Sequence, residues 1–223
     1  MESPSPDVRA RLMAQLASRP SPPRPQAKRR RLLLLALAAL PPIVAAGMRG
    51  IAWDGRPQSL VLVSFAAAVA VAAAGTWWAL TPGPSTLGRP RPWLRVAALA
   101  IPAILMVVAT IGAVVWPETQ LDLSLDPRAH IPCFAMTFLL AAAPFAVMMY
   151  LERRSDPVDP SATGAALGAS AGAWAGVTVT LGCAKSHLLH IGLAHVLPLV
   201  GLAVLGAIVG SRVIGMRSDP QGH

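Results

Sequence analysis

Charged residues make up only 13% of this 223-residue chain, about half the share usual in a soluble domain. Those present are segregated, so that long runs of Ala, Leu, Val and Ile carry none. That pattern excludes a soluble globular enzyme, and the 54% hydrophobic content excludes intrinsic disorder. Acids are scarcer than bases, ten Asp and Glu against nineteen Lys and Arg, for a net charge of +9. The excess of base does not argue for direct nucleic-acid binding. Most of it lies beside apolar runs, where it sets membrane orientation. Also missing is any polar stretch between those runs long enough to fold as a separate domain. The composition is that of an all-α integral membrane protein.

A helix crosses the hydrocarbon core with about 20 mostly apolar residues. Six runs meet that need, near Leu32–Met48, Ser59–Leu80, Val96–Trp116, Cys133–Leu151, Ala162–Gly182 and Ile191–Gly210. The first is the shortest and contains Pro41 and Pro42, which predict a bend or tilt. It follows Lys28–Arg31 as a secretory signal would, but the long polar segment before it and the apolar runs after it favour a signal anchor. Arg9, Arg11, Arg19, Arg24 and Lys28–Arg31 precede the first span. Arg89, Arg91, Arg95, Arg153, Arg154, Arg212 and Arg217 fall on the same side of the alternating spans. Only Arg49, Arg56, Arg128 and Lys185 fall on the other. The positive-inside rule then puts both termini in the cytoplasm. The expected organisation is a cytoplasmic segment 1–31, a six-helix transmembrane domain 32–210 and a short cytoplasmic tail 211–223, in a bacterial inner membrane.

The middle of every span lacks Asp, Glu, Lys and Arg, the residues that ion and proton paths use. The embedded polar residues are small, such as Ser64, Thr76, Thr137, Ser170 and Thr178, and suit bonding between helices. A small-solute or metal transporter is therefore the alternative rather than the first reading. No hydrolase, metalloprotease or phosphate-loop motif is present, which argues against an enzyme, and no cofactor is implied.

Span five has Gly164, Gly168, Gly172 and Gly176 at every fourth position, and span six has Gly206 and Gly210. Such a stripe strips one helix face of side chains, so that another backbone can approach. Packing of spans five and six within one subunit is the favoured outcome, and homodimerisation through the stripe the other.

The chain has only two cysteines. Cys133 opens span four and Cys183 follows span five at the same outer face, at similar depth if the two helices are antiparallel. His130, His187, His190 and His195 lie in or beside the same outer loops. Cys183, His187 and His190 have the spacing of neighbours on a helical turn. Thiolate and imidazole suit a soft or borderline divalent metal, which makes Cys133, Cys183, His187 and His190 the candidate ligands. A structural disulfide, packed free thiols and a redox-responsive pair are the other readings.

Before the first span, Ser5, Pro6 and Asp7 form a helix start. Val8, Leu12, Met13 and Leu16 follow at helical spacing, with Arg9 and Arg11 on other faces, until Pro20–Pro25 forms an extended spacer. Alone, this amphipathic turn fits a membrane-surface anchor or a peptide for a partner's groove equally well.

Several of these features together resemble one family. A short cytoplasmic segment rich in Arg, Leu and Pro precedes six spans. Ile131-Pro132-Cys133 opens span four, Arg153-Arg154 follows it, and Gly182-Cys183 leads to Ala194-His195. The chain resembles the NrsF-type membrane anti-sigma factors (negative regulators of sigma F) and, more loosely, CarR-type six-span anti-sigma proteins. The resemblance implies that the cytoplasmic segment holds an extracytoplasmic-function sigma factor away from RNA polymerase until an envelope signal releases it. It also implies that Cys133 and Cys183 sense heavy-metal or oxidative stress. On that reading Val8, Leu12, Met13 and Leu16 offer the apolar face to the sigma factor, and Arg9 and Arg11 pair with its acidic surface.

Overall fold

A computed structural model describes residues 50–53, 55–80, 92–120, 127–153 and 159–214, with scattered positions before residue 50. Five helices in it are long and apolar enough to cross a membrane. They are α1 (Gln58–Ala79), α2 (Pro92–Val115), α3 (Ile131–Leu151), α4 (Pro160–Gly182) and α5 (Leu188–Val213). No strand occurs among the described residues. The expected first span, near Leu32–Met48, is described at scattered positions, each of them helical. Of its described positions, Leu35 and Ala39 pack against the core formed by the other helices. The termini lie outside the described residues.

Proline sets several helix starts. Pro57 precedes α1, Pro132 sits in the first turn of α3 and Pro160 in that of α4. An N-terminal proline loses nothing there, because the first N–H groups of a helix have no internal partner. Asp159 caps α4, its carboxylate accepting from the Ala162 N–H at 3.2 Å. The same carboxylate meets Arg95 of α2 at 2.7 Å. Arg95 is largely exposed, so this pair positions the helix ends more than it stabilises them.

Helix α4 is the hub. It is buried on nearly every face, while α1, α2, α3 and α5 surround it. Its small side chains allow this, and with so little lipid contact it is the least apolar of the five helices. Several polar groups between and within the helices are satisfied locally. Trp174 Nε1 of α4 donates to Thr76 Oγ1 of α1 at 3.0 Å, Thr76 donates to the Ala72 carbonyl at 2.7 Å, and Ser170 donates to Ala166 at 2.7 Å. The outward faces are apolar: Leu99, Val114 and Leu139 are 73%, 76% and 69% exposed. A surface of this kind requires lipid around it, since water would penalise it along its whole length.

The glycine stripe faces mostly inward. A Cβ at Gly164 would lie 2.0 Å from the Gly206 carbonyl oxygen of α5, and one at Gly168 would lie 2.0 Å from that of Leu202. At Gly210 it would come 2.5 Å from the Pro160 carbonyl, and at Gly172 it would crowd Leu199 at 3.0 Å. Backbone therefore packs on backbone between α4 and α5 within one chain. Gly176 differs, because a Cβ there would meet nothing within 4 Å.

Helix α5 is irregular at its start. Residues Ile191–Val196 form a π-helical turn, and Pro198 follows. Pro198 has no N–H to give the carbonyl four residues back, that of Ala194. Thr137 Oγ1 of α3 donates to that carbonyl at 3.4 Å. The wider turn carries His195, and such turns recur at functional sites.

Candidate functional site: a cysteine–histidine cluster

One end of the bundle gathers the start of α3, the end of α4, the start of α5 and the loop that precedes α1. Cys133 lies in the first turn of α3, and Cys183 is the residue after α4. Their sulfurs are 3.5 Å apart and are not joined in a disulfide. Cys183 is buried and Cys133 is half-buried. His190 Nε2 lies 3.2 Å from Cys183 Sγ. Its other ring nitrogen, Nδ1, is 2.9 Å from His130 Nδ1. One of these two nitrogens carries the proton of that contact, so the tautomer of His190 is coupled to that of His130.

The ligand atoms of Cys133, Cys183, His190 and His195 all lie within 4.8 Å of one another. A tetrahedral ion with Zn–S about 2.3 Å and Zn–N about 2.0 Å spaces its donors about 3.3–3.8 Å apart. The 3.5 Å between sulfurs falls within that range, and the 3.2 Å from sulfur to imidazole lies just below it. His195 Nε2 is buried without a hydrogen-bond partner among the described residues, as a donor held for an ion would be. With His130 behind His190, the cluster has the outer partner that metal-bound histidines use for orientation.

The set differs from the sequence expectation in one member: His195 stands where His187 was expected. The expectation assumed a helical turn after Cys183. The chain is instead extended there, with ψ of 119° at Cys183 and 145° at His187. His187 Nδ1 caps the start of α5, accepting from the His190 N–H at 3.2 Å. His195 lies on the π-helical turn, whose register the spacing of residues does not reveal.

The Cys183 thiol is held far below its ordinary range. The hydrogen bond from the Cys133 thiol is the largest cause, burial opposes it, and His190 and His195 add to the lowering. At neutral pH the pair is thus one thiolate beside one thiol, the state that attacks oxidants and takes up soft cations.

Two residues that sequence reasoning did not single out hold the cluster in place. Arg56 is only 8% exposed. Its Nη1 donates to the carbonyls of Cys183, Thr180 (3.0 Å) and Ala52 (3.4 Å). Nearby, the Ala52 N–H donates to the Leu181 carbonyl at 2.9 Å. The loop before α1 therefore occupies the open carbonyls at the end of α4, which a helix leaves without internal partners. Gly55 makes the turn possible: its φ of +68° suits the third position of the Trp53–Arg56 turn, closed by a 3.0 Å hydrogen bond. Gln120 straps the other side. Its Nε2 donates to the Ser186 carbonyl at 3.3 Å and its Oε1 accepts from the Leu188 N–H at 2.8 Å.

The residues expected to bind a partner, Val8, Arg9, Arg11, Leu12, Met13 and Leu16, lie outside the described residues.

A family model described as NrsF, negative regulator of sigma F, matches residues 16–215. No curated protein and no solved structure matches the chain.

Proposed function

The chain belongs to the NrsF family of negative regulators of sigma F, and from that premise we propose a membrane anti-sigma factor. It holds an extracytoplasmic-function sigma factor on the segment 1–31 and releases it when the chemistry of Cys133 and Cys183 changes. It sits in a bacterial inner membrane with six spans and both termini in the cytoplasm. The family match begins at residue 16. The assignment of Val8 to Met13 follows the role that the family resemblance gives the cytoplasmic segment, supported by their amphipathic spacing and basic neighbours.

The observation that carries the sensing half of this reading is the 3.5 Å approach of two sulfurs that no disulfide joins. Convergence of four Cys and His donors favours a soft or borderline divalent cation as the signal. Binding such an ion displaces the Cys133 thiol proton and draws α3, α4 and α5 onto one centre. Oxidation is the second reading: the pair gives up two electrons and its remaining proton to an oxidant, and a disulfide forms.

The route to the cytoplasm runs through Arg56. The loop that it anchors to Cys183 leads back along the chain into the first span and so to the sigma-binding segment. A change at Cys183 that disturbs the carbonyls of Thr180 and Cys183 weakens that anchor. The demand is small, since a tenfold loss of sigma affinity needs only about 1.4 kcal/mol of difference between two states.

The test is co-purification of candidate sigma factors with the full-length protein in detergent, beside a Leu12→Asp, Leu16→Asp variant. The reading expects capture by the first and none by the second. Capture by neither, together with solute uptake by reconstituted vesicles, would hand the role to the transporter alternative.

A further inference from the structure

A cleft opens between α1, α2, α4 and the start of α5, beside the cysteine–histidine cluster. Arg56 and Lys185 line it, with Ser186 and Thr180 near them, and no acid is among its lining residues. Two of the four basic residues expected on this side of the membrane thus meet at one opening. Beyond them the walls are apolar, formed by Leu60 and Ala68 of α1, Leu105 of α2 and Leu199 of α5. From Leu60 to Ala68 the trough follows α1 for about 12 Å.

Two observations show that the cleft is built for an occupant. Arg56 Nε is buried and makes no hydrogen bond among the described residues, although Nη1 of the same guanidinium donates to backbone carbonyls. A buried charged donor without an acceptor is costly, and an anionic oxygen would satisfy it. Gly176, the one member of the glycine stripe at which an added Cβ would meet nothing within 4 Å, lines the same cleft. Where the other glycines admit α5, Gly176 leaves the trough open.

We propose that the cleft binds one phospholipid with an anionic headgroup, its phosphate against Arg56 and Lys185 and an acyl chain along the trough. The cationic mouth selects against zwitterionic headgroups. The apolar walls select against a free anion, which would leave them bare. Because Arg56 also holds the Cys183 carbonyl, the bound headgroup steadies the loop beside the thiols. The proposal stands on the cleft alone and does not depend on the sigma factor.

The experiment uses full-length protein in mild detergent, stripped of lipid and then titrated while its thermal unfolding is followed. The additions are phosphatidylglycerol, phosphatidylcholine and inorganic phosphate. Phosphatidylglycerol is expected to raise the midpoint of the wild type and of Gly176→Ala, and the other two are not. Gly176→Leu and Leu105→Phe, which fill the trough from opposite walls, are expected to weaken the effect about tenfold. Bridging of Cys133 to Cys183 by a short thiol cross-linker shows which variants keep the fold. An undiminished phosphatidylglycerol effect in whichever filled variant still cross-links would reduce the lipid to ordinary solvent. An equal rise with inorganic phosphate would make this an ion site and overturn the lipid assignment.

Discussion

Arg56 and Cys183 are 127 residues apart in sequence, yet the guanidinium of one donates to the carbonyl of the other in a buried hydrogen bond. The same nitrogen reaches Thr180. The loop that precedes α1 is thereby tied to the residue whose thiol is held far below its ordinary range. The acidified thiol and the anchored carbonyls share one stretch of backbone.

Replacing Arg56 by Gln should therefore do two things at once. Hydrogen bonds from a charged donor contribute about 1.5–3 kcal/mol, so thermal unfolding in detergent should show a loss near the middle of that range. Sigma-dependent transcription should rise without any envelope signal. Arg56→Lys keeps the charge but lacks the forked donors, and should fall between the two.

The donor set predicts a pattern among the histidines. With zinc or cadmium titrated calorimetrically, His190→Ala and His195→Ala should each abolish tight binding, whereas His187→Ala should preserve the stoichiometry. His130→Ala, which removes only the group behind His190, should weaken affinity about 10- to 100-fold. Equal losses at His187 and His195 would contradict the assignment.

Glycine substitutions should divide by position along one stripe. Gly164→Ala and Gly168→Ala drive a methyl into backbone 2.0 Å away and should cost about 1–3 kcal/mol in denaturation by mixed detergents. Gly176→Ala meets open space and should be neutral or stabilise by up to about 1 kcal/mol, as alanine does inside a helix.

Acidity should leave a mark of definite sign. Cys183 is a thiolate in the folded, reduced protein and a thiol in the unfolded chain below about pH 8.5. Across that window the unfolded state binds the extra proton, so Cys183 contributes stability that grows as the pH rises and levels off above about 8.5. Unfolding midpoints of metal-free protein, measured from about pH 6 to about pH 9, should rise less steeply in Cys183→Ser than in the wild type.

Most of the helical framework was legible because long charge-free runs leave the backbone one option in lipid. The expected span Ala162–Gly182 and helix α4, Pro160–Gly182, end at the same residue. The starts were placed late. The Ser59, Val96, Cys133, Ala162 and Ile191 boundaries missed first turns set by Gln58, Pro92, Ile131, Pro160 and Leu188. Hydropathy does not register a proline at the head of a helix. The meeting of Cys133, Cys183 and His190 was likewise legible, from loops that share one face. His195 was not, because a π-helical turn shifts every later side chain off the ordinary helical register. Nor was Arg56: a basic residue in an outer loop looks solvated until the open end of a distant helix is found to receive it.

Helix α4 is the hub of the finished protein, but it must also be made. A segment of Gly, Ala, Ser and Thr, the least apolar of the five, gains little from lipid on its own. During synthesis it would leave the insertion channel reluctantly, and it becomes comfortable only once α5 lays its own glycines against it. The element that organises the assembled protein is thus the one least able to enter the bilayer unaided. A chain truncated before α5 should be a target for membrane quality control even though each earlier helix is sound.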